Sequence, residues 1–480
     1  MIVLTVMVSA VLFLIRSETL DLGGQTDDYK LLALADAGVA RAYRALRDDY
    51  LTTTQTGTAD LRGDDTALSV SITNPANMRY IDTSTATINS NFDQAILRAF
   101  DANYVNAKII RVELHARASR ASGGIRTTMQ VAYTVDGTTY TTKIARALTT
   151  IIVDYSSNIT ADRTWTWAIL MSPNFRVRVM RMSTALNRNI NLDSMYLRVT
   201  YSIDTLTEPW ASGSYAAFPI TLGGGTIQSV SITDESSKVH LNYASQALLT
   251  NLLTNLGVSS AATKAANIVT YRGAALTNPF DLVEELQQVT GITAADYTAI
   301  NDYVTVYSFI SSSSYRPPAY PSTLPRAPVN INIASQPVLK SIFDSSGLGA
   351  GDANTLANSI ITQRTASPFV GFYSSASALN TYFYNFVQNL SSGTFSATEK
   401  NNICDTADPS ALIPVFGATA FGCPTTELCY AGTAFYINSL GSIGTRSLRV
   451  MTMRNSAGGS TFGTYAGDAA SVGWRKENFE

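Results

Sequence analysis

The sequence predicts an α+β protein: a long N-terminal helix, an antiparallel sheet domain, and an inserted all-α domain containing two related helical units. Three observations carry this expectation. Residues 1–15, MIVLTVMVSAVLFLI, are apolar and lead into a segment with helical spacing. Strand-like alternation fills about 105–228 and returns near the C-terminus. In between, a motif occurs twice, VHLNYASQALL from Val239 and VNINIASQPVL from Val329, with 329 − 239 = 90 residues between the copies. Each copy leads to a helical run ending in Arg (Arg272, Arg364) and then to Pro-Phe (Pro279-Phe280, Pro368-Phe369). A repeated order of elements at a fixed period marks two related structural units.

Taken from the N-terminus, the chain divides into 1–50, a helix; 51–228, a β-rich part of a head; 229–395, the inserted helical domain; and 396–480, a returning sheet segment and tail. In the first part Val3, Leu4, Val8, Leu12, Leu14 and Ile15 form an apolar surface suited to lipid or to other apolar helices. No basic residue precedes this run and no small-residue cleavage site follows it, which is unlike a secretory signal peptide. Leu32, Ala35, Val39, Ala42, Tyr43 and Leu46 then recur at spacings of three and four, with Gly23-Gly24 as a loosened join. The whole reads as a single-pass membrane helix continuing into an amphipathic helix.

Arg62-Gly63-Asp64 matches a cell-attachment tripeptide, but three residues carry little specificity and the stretch reads as a turn. Phe92–Tyr104 reads as a helix marked by Ile96, Leu97 and Phe100. Lys108–Ala118, Met129–Val135, Thr139–Leu148, Ile151–Tyr155, Phe175–Met180 and Met195–Ser202 read as strands, with Asp136-Gly137 as a hairpin turn. In the repeat region, helices are expected at Gln246–Leu256, Ala262–Arg272, Leu282–Val289, Ala294–Tyr303, Gln336–Phe343, Asn354–Arg364 and Asn380–Leu390. Val304–Ile310 reads as a strand, and a hairpin is expected from Ala434–Asn438 and Leu448–Arg454.

The chain is 45% hydrophobic and 15% charged, with a net charge of −2, which gives no electrostatic drive toward nucleic acid. The acidic flanks of the turn at Thr290–Thr293 (Glu284, Glu285, Asp296, Asp302) point the same way. His115 and His240 are far apart, placed on a strand surface and in a repeat turn, and no HExxH, G-x-S-x-G or Walker loop occurs. A non-enzymatic protein is expected; a membrane-anchored hydrolase is the alternative of another class. No cofactor is required, although Asp234 and Glu235 could offer oxygens to Ca²⁺, a solvated turn being the alternative. Cys404, Cys423 and Cys429 lie close enough in sequence for one local disulfide.

Several stretches resemble a known family, the K-type minor pseudopilins of type II secretion systems. They are ITDESSKVHLNYASQALL (Ile232–Leu249), NPFDLVEELQQVTGI (Asn278–Ile292), DYVTVYSF (Asp302–Phe309), VNINIASQPVL and FYINSLGSIGTRSLRVMTMR (Phe435–Arg454). ALADAGVARAYRAL (Ala33–Leu46) is also similar to the helix of PilX-class type IV minor pilins. Most pilins carry Glu at the fifth mature position, which the K type lacks; here no Glu precedes Glu18. The resemblance implies a pilin-like head with an inserted helical domain, a single-pass bacterial inner-membrane helix with the head in the periplasm, and later incorporation into a pilus-like filament. The implied role is initiating or capping a secretion pseudopilus, with other minor pseudopilins or pilins, the major pseudopilin and the assembly platform as partners. A type IV minor pilin with an adhesive role is the nearest alternative.

Overall fold

The computed structural model describes residues 2–52, 55–61, 63, 69, 72–79, 84–90, 92–98, 100, 107–122, 127–182, 189–273, 276–308, 327–344, 348, 351–371, 379–403, 428–432, 434–455 and 472–479, without the side chains of 2–25, 51, 76, 79, 402, 452–455 and 472–479. The chain forms two units that alternate along the sequence. Unit 1 comprises Met1–Thr53, Leu206–Glu235 and Thr433–Glu480; unit 2 comprises Thr54–Thr205 and Ser236–Gly432.

The chain starts with α1 (Ile2–Thr52). Unit 2 then begins with β1 (Thr56–Leu61), β2 (Ile72–Thr73), β3 (Ala86–Ile88), β4 (Gln94–Arg98), β5 (Ile109–Arg120), β6 (Thr128–Thr134), β7 (Thr141–Ala147), β8 (Val153–Asn158), α2 (Trp167–Leu170), β9 (Arg176–Met182) and β10 (Ile190–Ser202). Unit 1 resumes with α3 (Pro209–Ser212), β11 (Ile220–Leu222) and β12 (Gly225–Asp234). The second part of unit 2 holds β13 (Val239–His240), α4 (Gln246–Asn255), α5 (Ala261–Arg272), α6 (Ala294–Ile300), β14 (Val304–Thr305), β15 (Val329–Asn330), α7 (Gln336–Phe343), α8 (Asp352–Ala366), α9 (Phe383–Gln388), α10 (Ala397–Ile403) and β16 (Leu428–Cys429). Unit 1 closes with β17 (Ala434–Ile443), β18 (Arg446–Asn455) and β19 (Val472–Phe479). The expected α+β plan is thus observed: a long helix, an antiparallel sheet and an inserted helical region.

Unit 1 is a five-stranded antiparallel sheet, β11-β12-β17-β18-β19, with α1 packed across it. Leu31, Leu34, Ala35, Val39, Ala42 and Leu46 are buried, and burying each leucine contributes about 2 kcal/mol. Glycines set the approach. A Cβ on Gly441 would lie 3.1 Å from the Ala35 nitrogen and the Leu31 oxygen, so the helix backbone rests directly on the strand. A Cβ on Gly38 would meet Ser439, with Val230 at 2.9 Å and Ile227 at 3.1 Å.

The expectation of a single-pass membrane anchor is overturned: among the described residues, no helix is long and apolar enough to cross a membrane. The inner-membrane placement falls with it. The side chains of Val3, Leu4, Val8, Leu12, Leu14 and Ile15 lie outside the described residues. α1 runs through Gly23-Gly24 as one helix.

The first part of unit 2 contains two antiparallel sheets. One is β2-β3-β10-β5-β8 with β1 also on β10; the other is β4-β9-β6-β7. Inward side chains of both, such as Val112, Leu114, Val131, Val177 and Leu197, join one apolar core. The helix expected at Phe92–Tyr104 is instead β4 over its central residues, because Ala95 and Leu97 point inward while Gln94, Ile96 and Arg98 are half-buried, a period of two. Residues 101–104 of that expectation, and Arg62 and Asp64, lie outside the described residues. The Asp136-Gly137 hairpin joins β6 to β7 as expected, with Gly137 at φ +82.

In the helical part, Val283–Gln288 is a 3-10 turn, not the α-helix expected there. Of the strand expected at 304–310, β14 forms at its start, parallel to β13, 306–308 are not strand, and 309–310 lie outside the described residues. Tyr382, Phe383 and Phe386 are buried.

The close contact at Gly38 gives a test. Gly38→Val inserts a branched side chain between α1 and the sheet and should cost about 2 kcal/mol. Urea denaturation of the two proteins measures it.

Candidate functional site

The repeated motif builds the most regular polar arrangement in the chain, and it does so twice. In the first copy Asn242 sits in the turn between β13 and α4, 9% exposed. Its Nδ2 donates to the Phe280 carbonyl at 2.9 Å, and its Oδ1 accepts from the Phe280 N–H at 2.8 Å. In the second copy Asn332 makes the same pair with Phe369, at 2.9 and 2.8 Å. One amide therefore satisfies both backbone groups of a buried phenylalanine, as an adjacent strand would.

The arginines that end α5 and lie near the end of α8 complete each copy. Arg272 donates to the carbonyls of Leu241 and, at 2.6 Å, Ala244. Arg364 donates to Ile331 and Ala334, both at 2.7 Å. These turn carbonyls have no strand partner of their own, and the guanidinium fork spans them. Burial pushes the Arg272 guanidinium down, and pushes Arg364 down to about 10. The copies face each other through α4 and α7, where Asn255 Nδ2 donates to Ser341 Oγ at 2.9 Å.

The copies differ at one informative position. In the first, the Asn242 N–H donates to His240 Nδ1 at 3.2 Å; in the second, the Asn332 N–H donates to Asn330 Oδ1 at 3.0 Å. Burial, then the Arg272 charge, pushes His240 down to about 3. A protonated Nδ1 would also face a donor, so the neutral ring is the one this turn accepts.

His115 is buried, not on an open strand surface. Its Nδ1 lies 3.1 Å from both Asp154 oxygens, and its ring stacks on Tyr196 with centroids 4.6 Å apart. The Tyr196 hydroxyl donates to Asp154 at 2.7 Å. Burial, then Asp154, holds the Tyr196 hydroxyl above the usual phenol range. Asp154 is lowered: burial opposes this, but the His115 and Tyr196 hydrogen bonds outweigh it. Alongside, Arg198 makes a two-pronged pair with Asp60 at 2.8 and 3.0 Å, and Arg117 meets Asp193 at 2.7 Å. Both histidines thus hold structural positions within hydrogen-bond networks.

Asp234 and Glu235 are buried, at 1% and 3% exposure, where β12 gives way to a 3-10 turn. Burial replaces the solvated turn that the sequence suggested. Among the described residues, no group of His, Cys, Asp or Glu with metal-ligand proximity includes either of them. Cys429 is buried in β16, its Sγ 3.5 Å from the carbonyls of Pro328 and Ala431; Cys404 and Cys423 lie outside the described residues. The sequence flagged the motif, the Arg and the Pro-Phe of each copy but not the asparagines' role. The recurrence of Asn three residues before the motif Ser (Asn242, Ser245; Asn332, Ser335) was the available signal.

No protein-family model and no curated protein matches the sequence. Among solved structures, the chain is similar to the GspK-GspI-GspJ complex from the type 2 secretion system of enterotoxigenic Escherichia coli. That match has 15% identity and a TM-score of 0.31, covering 57% of this chain and 87% of that one. It is also similar to TmCBM61 in complex with β-1,4-galactotriose (8% identity, 30% of this chain, 88% of that one, TM-score 0.17). A third is a CBM4 structure (16% identity, 31% of this chain, 96% of that one, TM-score 0.18). These overlaps are too slight to assign a family, and the fold is defined by the chain's own geometry.

Two outcomes follow from the paired clamps. Asn242→Ala and Asn332→Ala each strand a buried N–H and C=O and should each cost about 3 kcal/mol in chemical denaturation. The second concerns pH. His240 has a folded pKa of about 3, below the ordinary histidine value of 6.5, so its contribution is full above 6.5 and is lost as pH falls toward 3. Between pH 7 and 4.5 this amounts to about 2–3 kcal/mol. His240→Asn, copying Asn330 of the second unit, should remove that part of the acid sensitivity, read from urea midpoints at the two pH values.

Proposed function

We propose that this chain is a structural subunit of a pilus-like filament, a minor pseudopilin of the K type that initiates or caps assembly together with other minor subunits. The observation that supports this reading is the continuity of α1. One helix of 51 residues, about 76 Å long, packs on its own sheet through Leu31–Leu46 and carries the apolar run 1–15 on the same rod. An apolar helix of this kind finds its burial against like helices of neighbouring subunits. In this reading residues 1–50 are the filament helix, 51–228 the β-rich head, 229–395 the inserted helical domain and 396–480 the returning sheet and tail. Other minor pseudopilins are the nearest partners, with the major pseudopilin and the assembly platform beyond them.

The β-rich part of unit 2 favours a second reading, a type IV minor pilin with an adhesive head, because two antiparallel sheets precede the helical region in the chain. Deleting the gene separates the two readings: lost protein secretion supports the first, and lost adhesion with intact secretion supports the second.

The helix itself is tested by Leu12→Asp. A carboxylate placed among apolar helices costs at least about 2 kcal/mol, which lowers incorporation into sheared filaments more than about tenfold. Incorporation equal to that of the unaltered chain would remove the helix from the assembly contact.

A further inference from the structure

β8 lies at the edge of the sheet β2-β3-β10-β5-β8 and, among the described residues, pairs with β5 on one side only. A sheet edge presents unpaired backbone groups, and proteins guard such edges with short strands, basic side chains, prolines, bulges or burial. The other outer strands in the β-rich part of unit 2 are guarded in these ways. β2 has two residues, β4 contains Arg98, β7 contains Lys143 and Arg146, and β1 exposes only Thr56. β8 has six residues in unbroken register, and from Ala147 to Asp162 the chain has no Lys, Arg or Pro.

The register shows which backbone groups are open. The Ile159 N–H donates to the Val112 carbonyl at 2.9 Å, and the pairing continues with Leu114 opposite Ser157, Ala116 opposite Tyr155 and Ala118 opposite Val153. Bonded and non-bonded pairs alternate in an antiparallel ladder, so the N–H and C=O groups of Asp154, Ser156 and Asn158 point away from β5. The same three residues are exposed. Asp154 is the one charged residue of the strand, and it does not guard the edge. His115 of β5, at 3.1 Å, and the Tyr196 hydroxyl of β10, at 2.7 Å, draw its carboxylate inward over the sheet. Ile151 and Ile152, 69% and 40% exposed, lead into the strand.

This edge is complementary to itself. Laid antiparallel on a second β8 about a two-fold axis at Ser156, it sets Ser156 opposite Ser156 and Asp154 opposite Asn158 on both sides of the axis. Asn158 Oδ1 accepts the Thr160 N–H at 2.9 Å, which leaves Nδ2 as the donor to the carboxylate opposite. No like charges face each other in this register, whereas an axis at Asp154 would oppose two carboxylates.

We infer that β8 pairs antiparallel with β8 of a second copy of this chain, centred on Ser156, so that the sheet continues from one copy into the other. Both copies use the same strand, and the contact therefore closes at two. It goes beyond the filament reading, which rests on α1, and either can fail without the other.

Sedimentation velocity on the full chain over a concentration series tests the pairing, and a monomer–dimer equilibrium is expected. Ser156→Pro removes an outward N–H, which an edge strand tolerates, and Ser156→Lys places a guard on the edge. Each should raise the dimer dissociation constant at least about tenfold, with circular dichroism unchanged. The register is read by cross-linking. Bonded antiparallel partners have Cα atoms about 5.5 Å apart, within disulfide reach, so Ser156→Cys should form a covalent dimer under mild oxidation, beyond any formed by the unaltered chain. Asn158→Cys should not, because its two copies would lie about 14 Å apart. Three results overturn the inference: a chain that stays monomeric, a dimer that withstands both Ser156→Pro and Ser156→Lys, or Asn158→Cys cross-linking as fully as Ser156→Cys. A monomeric chain that binds an extended peptide of alternating Thr and Val would place another protein on this edge, and overturns it as well.

Discussion

The helical part of the molecule depends on two arginines, Arg272 buried and Arg364 half-buried, that answer backbone carbonyls of the turns. The turns at Leu241–Ala244 and Ile331–Ala334 point carbonyls inward, where an unmatched group is costly. A helix or sheet would satisfy such groups through its own ladder, but these turns redirect the chain from a two-residue strand into a helix. A guanidinium delivered from the far end of the next helix solves the problem in both copies. Each helical unit is therefore locked at both ends: the Asn–Phe pair fixes the segment after the second helix, and the Arg fixes the turn before the first. Losing the arginine from either unit would leave two turn carbonyls without this donor.

This explains which parts of the fold were legible in the sequence. The twin units were visible because their partners recur at nearly constant offsets, from Asn242 to Phe280 and from Asn332 to Phe369. The helix α7 was placed at its observed bounds because Ser335 precedes it and Val338, Leu339 and Ile342 follow helical spacing. The region of β4 was not legible. Ile96, Leu97 and Phe100 satisfy a helical pattern, and only pairing with β9, more than seventy positions later, decides for a strand. His115 was misplaced for the same reason: its burial comes from Asp154 and Tyr196 on flanking strands, which local sequence cannot show.

The contact of α1 with its sheet is a constraint of another sort. It rests on small residues where the helix crosses β12 and β17, so it tolerates little change in side-chain volume. The sheet contributes those strands from segments about two hundred positions apart, with Asp234 of β12 directly opposite Phe435 of β17. Antiparallel neighbours lie about 5 Å apart. Whatever is inserted between them must begin and end at points that close together.

That requirement gives the small parallel pairs of the insert a purpose. Its strand β13 opens the insert and β16 nearly closes it, each held to a partner inside the insert: β13 to β14 and β16 to β15. The first copy of the motif thus anchors the entering chain and the second copy anchors the leaving chain. A single helical unit would fix only one of the two. Duplication supplies matched anchors at both ends of the insert.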